Sequence, residues 1–391
     1  MVARSRGNTE RRNWRNNSGQ CAGRDRGGRG FYRGLFGGVV PSGRARRGSL
    51  ALIAALCGVL APLSVSPSLT AWANTPTLTN PEEITANFDA ALQAFNAGKF
   101  IEALRLSQTA AKLGSTDGAV MAGYILRYGK AGVTDLSAAR KWYEQAAAKG
   151  HPDALVALGE MGIRGQAGLT KTDAVAWLTR ASDAGRTDAM RALSDLYRTG
   201  QGVSANAAES ERLLKGASQS FDADASKRLG DSLFERDPKE ALKHYETAAD
   251  AGHIEAAYIA GVMYAENFEI RPNSKRSATL LRQAAYGGHA AAMADYGLLV
   301  YQGYGAEKSD AEAAEWFRKS AKAGDPEGQF LYAFTLAKGE GLEKNLEEAY
   351  YWALKSGTSG VDEYDADRET LRKGLEGKLT STEIARVKAR K

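Results

Sequence analysis

The residues in this chain best suited to chemistry are four histidines, two cysteines and several runs of carboxylates. His151, His253 and His289 each directly follow a glycine (Gly150, Gly252 and Gly288) and stand in separate segments of the chain. A zinc site needs ligands that converge on one point. Histidines recurring one per segment are read instead as polar residues of turns, and His244, away from any glycine, as a packing residue. Cys21 and Cys57 both precede residue 74, so the remainder carries no thiolate nucleophile, disulfide or cysteine-ligated zinc. Glu347-Glu348, Asp362-Glu363, Asp365 and Asp367 read as solvated faces, and nothing singles out two carboxyls facing each other across a cleft, as glycoside hydrolysis requires. The Gly-x-Gly runs at 197–203 (YRTGQGV), 301–306 (YQGYGA) and 337–342 (AKGEGL) follow helical patterns. A phosphate-binding glycine loop follows a strand and opens a helix. No G-x-S-x-G, H-E-x-x-H or Walker pattern occurs. The chain is therefore read as a non-enzyme that takes no cofactor and no metal.

Charge gives a second exclusion. The 391 residues carry a net +6. Residues 1–73 hold twelve arginines and only two acids, Glu10 and Asp25. Subtracting that local +10 leaves −4 for the remainder, so the summed charge is not a basic binding face and no nucleic-acid partner is expected. Residues 1–43 read as an Arg/Gly-rich disordered segment, with a true start expected at Val39 or Val40. Residues 44–73 combine a positive stretch (RARR), an apolar run (LALIAALCGVLAPLSV) and an AWA ending, the three parts of a secretory signal peptide. Cleavage is expected between Ala73 and Asn74. The apolar run, broken by Pro62 and Pro67, is short for a membrane span, although an uncleaved anchor is the alternative. Either way the folded part is expected in the periplasm or outside the cell.

The elements that carry these residues repeat. With Trp316 as marker, equivalents fall at Leu106, Trp142, Trp177, Arg212, His244, Leu280 and Trp352, in steps of 32 to 36 residues. A period of this size marks a helical solenoid. Five residues after the marker stands a small residue, such as Ala147 or Ala321. Eight residues after it comes glycine, including Gly150, Gly185, Gly252, Gly288 and Gly324, as a turn between antiparallel helices demands. Seventeen residues after it is another small residue, including Gly159, Gly261 and Gly297. Glycine inside a helix costs about 1 kcal/mol against alanine, and close helix–helix approach is the expected compensation.

The pattern A-x-x-W-(Y/F)-x-x-(A/S)-A-x-x-G, a small residue, (L/Y)-G and then Y-x-x-G-x-G-V resembles the Sel1-like repeat, a relative of the tetratricopeptide repeat, over about residues 100–357. The resemblance implies an all-α fold: a right-handed α-solenoid of seven to eight antiparallel helix hairpins, used to hold other proteins. Similar periplasmic proteins act in exopolysaccharide regulation, sensor inhibition or envelope assembly. A cysteine-rich branch linked to penicillin hydrolysis depends on a disulfide within each repeat, which this chain lacks after residue 57; a cell-wall glycan-binding module is a further alternative.

Residues 74–98 are read as a linker and capping helix, 99–357 as the repeats and 358–391 as charged capping helices. The unit around Arg212 breaks the pattern, with a charged marker, an inserted residue in 216–225 (GASQSFDADA), and a second helix expected over 229–235 that runs into Asp237-Pro238 with no Gly-x-Gly loop. Trp142, Trp177, Trp316 and Trp352, with the glycines above, are structural. Partner contacts are expected at Phe268, Ile270 and Arg271, apolar and basic residues in an exit loop that elsewhere holds glycines, and at Tyr304; tucking of the apolar loop residues under the next helix pair is the alternative. Phe330, Phe334, Lys338 and Glu340 differ from their equivalents in other units and are open to a functional role.

Overall fold

The computed structural model describes residues 80–266, 270–357 and 362–390, all of it helix, turn or loop. The signal segment, Ala73, Asn74 and Phe268 lie outside the described residues. Contacts divide the chain into two compact units, one ending at Ala154 and one beginning at Leu155.

The first unit holds α1 (Pro81–Asn96), α2 (Phe100–Lys112), α3 (Thr116–Arg127) and α4 (Leu136–Ala148). Asn80 caps α1 ahead of a proline in its first turn. Phe95 meets Phe100 and Tyr124 edge-on, closing α1 against α2 and α3.

Helix α5 (Pro152–Ile163) carries the boundary. The second unit continues with α6 (Lys171–Asp183), α7 (Thr187–Thr199), α8 (Ala207–Gln219), α9 (Ala223–Leu233), α10 (Pro238–Asp250) and α11 (Ile254–Ala265). It is completed by α12 (Ser274–Tyr286), α13 (Ala290–Gln302), α14 (Asp310–Lys322), α15 (Pro326–Lys338), α16 (Leu346–Lys355), α17 (Asp362–Glu376) and α18 (Ser381–Ala389). Helices of twelve or thirteen residues are marginal alone in water; packing holds them, together with systematic end-capping. Asn206, Asp237, Asn273, Ser309 and Asn345 each accept the backbone N–H three residues on, at the start of α8, α10, α12, α14 and α16. Thr170 and Thr380 close full capping boxes with Asp173 and Glu383.

One core runs from Leu233 in α9 to Phe317 in α14. Leu214, Ala217, Ala225 and Leu229, in the irregular α8–α9 hairpin, form a small separate cluster. There α9 begins at Ala223, six residues before the start expected from sequence, because Asp222 caps it by accepting from the Ala225 N–H.

Candidate interaction surface

The repeated positions resolve into three contacts. The first sits beside the marker tryptophans. Trp316 is buried, 4% exposed, but Trp142, Trp177 and Trp352 are only half-buried. The position that faces inward in every unit is the next residue: Tyr143, Leu178, Tyr245, Leu281 and Phe317 are all buried. Each lies on the mid-helix glycine of the preceding hairpin. A Cβ built at Gly123, Gly159, Gly230, Gly261 or Gly297 would stand 2.5–2.8 Å from the nearest atom of that side chain. Glycine is required there because the incoming ring or leucine occupies the space a methyl would take.

The second contact is at the Gly-x-Gly loops. Gly200, Gly303 and Gly339 end α7, α13 and α15 in the left-handed conformation. The second glycines, Gly202, Gly305 and Gly341, lie against the first-turn backbone of α6, α12 and α14, where a Cβ would approach Lys171, Ser274 or Asp310 to 2.5 Å or less. These loops pack on protein backbone and cradle no phosphate.

The third contact uses the histidines. His253 and His289 cap α11 and α13, each Nδ1 accepting from a backbone N–H at 3.2 and 3.1 Å. Nδ1 is thereby the acceptor, leaving Nε2 to carry the proton. Nε2 points to a carboxylate in the first turn of the preceding hairpin's second helix: Asp224 at 3.5 Å for His253 and Glu255 at 3.3 Å for His289. In the first unit His151 Nε2 stands 3.0 Å from Asp117 Oδ1. The bonds from His151 and His289 hold the Asp117 and Glu255 carboxyls below their ordinary range. At the far end Arg368 of α17 takes the place of a histidine and donates to Glu327 at 2.9 Å. Burial pushes the His244 imidazole down. Among the described residues no group of three or more His, Cys, Asp or Glu is placed to hold a metal ion.

Glutamines add a parallel link. Gln145 and Gln283, three residues after their markers, donate to the carbonyls of Ala111 and Ala249 at 2.8 and 2.6 Å, one repeat back.

The expected contact residues separate. Ile270 is corrected: it is 8% exposed and belongs to the core cluster that α11 and α12 share, so its side chain is not available to a partner. Arg271 is exposed, and so is Tyr304, at 63%. The four divergent residues of α15 and its loop are engaged internally. Arg368 lies over the Phe330 ring, Lys338 over Phe334, and Tyr301 donates to Glu340 at 2.5 Å. Sequence reasoning passed over Phe221, which is 86% exposed with φ of 62°, in the place where other hairpins have glycine. The missing hairpin glycine was the available signal, and the inserted residue obscured which side chain replaced it.

Among the described residues, eighteen α-helices and no strand, with recurring glycine, histidine and glutamine contacts between neighbouring hairpins, define an all-α helical repeat protein. The chain belongs to the Sel1 repeat family, whose model matches residues 116–151, 152–185, 187–219, 228–253, 254–289, 290–325 and 326–361. Among solved structures it is similar to a Sel1 repeat protein from Oxalobacter formigenes, at 22% identity over 75% of this chain and 88% of that one, with a TM-score of 0.57. It is also similar to c5321, a protective antigen of uropathogenic Escherichia coli with 23% identity, 78% and 75% coverage and a TM-score of 0.44. The immunity protein Pa5087 from Pseudomonas aeruginosa follows at 16% identity, 57% and 81% coverage and a TM-score of 0.29. These likenesses concern the fold. No curated protein sequence matches the chain. Sel1 repeat proteins generally mediate protein–protein interaction, and no catalytic family is indicated. Among the described residues no helix is long and apolar enough to cross a membrane.

Proposed function

We propose that this chain is an exported, non-catalytic interaction scaffold or regulator that binds a protein partner of the cell envelope, in envelope assembly or exopolysaccharide signalling, through the surface of its repeats. The observation that carries this reading is the fate of its reactive side chains. Three of the four histidines are spent on helix caps or inter-repeat contacts, and the glycine loops on backbone contact. Large side chains meanwhile stand exposed, Tyr286 at the end of α12 at 72% and Tyr304 in the loop after α13 at 63%. A surface set by packing beneath it loses little ordering entropy on binding. Arg271, exposed beside the core residue Ile270, is a further contact in this reading. The export step rests on the sequence of residues 44–73.

Crosslinked co-purification from envelope fractions tests the proposal. A discrete protein recovered with the chain under several growth conditions is the expected result; recovery of the chain alone contradicts it. Measurable nitrocefin turnover by the purified protein would contradict the non-catalytic part.

A further inference from the structure

We infer that the hairpin turn at Phe221 anchors a docking site for a protein segment bearing apolar side chains flanked by lysine or arginine. This deepens the scaffold reading and rests on it: it names where the partner sits and what chemistry it presents.

The turn between the two helices of a hairpin holds glycine at positive φ in six places, Gly114, Gly150, Gly185, Gly252, Gly288 and Gly324. In the α8–α9 hairpin that position is Phe221, with φ of 62°. A bulky L-residue is disfavoured there. Its ring is also 86% exposed, so packing returns nothing for the strain. Glycine would relieve both faults. A side chain that folding disfavours twice over, held on a turn capped by Asp222, has the properties of a presented anchor.

The neighbouring turns extend the site. Ile254, partly exposed, starts the next hairpin's second helix, and Tyr286, 72% exposed, ends the first helix of the hairpin after that. The Ile254 side chain lies against Gly287, where a Cβ would stand 2.7 Å away. The approach of His253 Nε2 to Asp224 at 3.5 Å and the bond from His289 to Glu255 hold the three turns side by side. Phe221, Ile254 and Tyr286 thus form a row at one edge of the second unit.

Charge selects the occupant. Asp222 and Asp224 share Arg191, and Asp250 stands 3.9 Å from Arg276. Glu246 also takes Arg276, and Glu255 has Lys227 near it, so five carboxylates stand against three cations beside the apolar row. The carboxylates of Asp224, Asp250 and Glu255 are all half exposed or more. An acidic partner would meet like charge; a basic one would be steered in and held.

Panning a random-peptide phage library on the immobilised full chain tests the inference, with selected peptides measured by fluorescence anisotropy. Phe221→Gly is the deciding variant, because it leaves the melting temperature unchanged or raised. Peptides combining apolar residues with lysine or arginine are expected, losing about tenfold or more in affinity for Phe221→Gly, and losing affinity again for Asp224→Asn/Asp250→Asn. Acidic peptides, no enrichment, or unchanged binding to Phe221→Gly would overturn it. So would self-association abolished by Phe221→Gly, which would make the occupant a second copy. In any of these cases a protein still recovered by envelope crosslinking leaves the scaffold reading standing, whereas recovery of the chain alone removes that reading itself.

Discussion

Two glycines separate backbone propensity from packing at the residue scale. Gly297 in α13 lies under the Phe317 ring, with a Cβ position 2.8 Å from a ring carbon. Gly374 in α17 has nothing within 4 Å. Alanine improves helix propensity at both by up to about 1 kcal/mol. Urea denaturation of Gly374→Ala is expected to show a stabilisation of that order. Gly297→Ala is expected to lose about 1–3 kcal/mol, since overpacking a filled contact outweighs the propensity gain. The glycine column was legible from its period alone. Its partner was not, because adjacent helix residues point about 100° apart, following from 3.6 residues per turn. The period shows that Trp316 and Phe317 both recur as large residues without showing which one meets the glycine. The buried column of Tyr143, Leu178, Tyr245, Leu281 and Phe317 emerges only from three-dimensional contact.

Between elements, the histidine bonds carry a pH signature. Glu255 is held below its ordinary value of 4.5, chiefly by its bond from His289. A carboxyl lowered in the folded state contributes stability that is present above the unfolded value and lost as pH falls through the folded one. The difference in melting temperature between the wild type and Glu255→Gln is therefore expected to be largest above pH 4.5 and to shrink on acidification. His289→Asn retains a capping oxygen but loses the reach to Glu255, and is expected to cost less than His289→Ala, which loses the cap as well, about 1 kcal/mol. Tyrosines mark the opposite limb. Tyr301, bonded to Glu340, and Tyr350, buried and bonded to Glu376, are pushed up to about 12. A raised tyrosine contributes stability below its unfolded value of 10 that is lost as pH rises through about 12. Tyrosinate absorbance is expected to show late-titrating groups that include these two, and Tyr301→Phe/Tyr350→Phe is expected to lose their share of the late amplitude. Helix starts were readable from Asn, Asp, Ser and Thr at their caps. Phe221 escaped because an insertion shifted the register, and Ile270 because an apolar residue in a loop has the same sequence signal whether it points in or out.

For the molecule as a whole, repeats that touch only their neighbours make stability a sum of local terms. The weakest term in the second unit is expected to be the α8–α9 hairpin. Its core is a small cluster apart from the main one, and it is tied to its surroundings by pairs such as Arg191 with Asp222 and Asp224, and Arg228 with Asp195. Added salt screens partly exposed pairs more than it affects apolar packing. Hydrogen exchange is expected to find the lowest protection in α8 and α9, falling further with salt while α10–α14 change little. The central claim is that the repeated positions serve packing and the exposed turns serve a protein partner. Site-specific photocrosslinking in the native envelope, with benzoylphenylalanine at Phe221, Tyr304 or the buried Phe317, tests it most directly. The account predicts a discrete adduct with another protein from at least one exposed position and none from Phe317. Absence of any adduct from the exposed positions, under conditions where the chain is folded and exported, would contradict it.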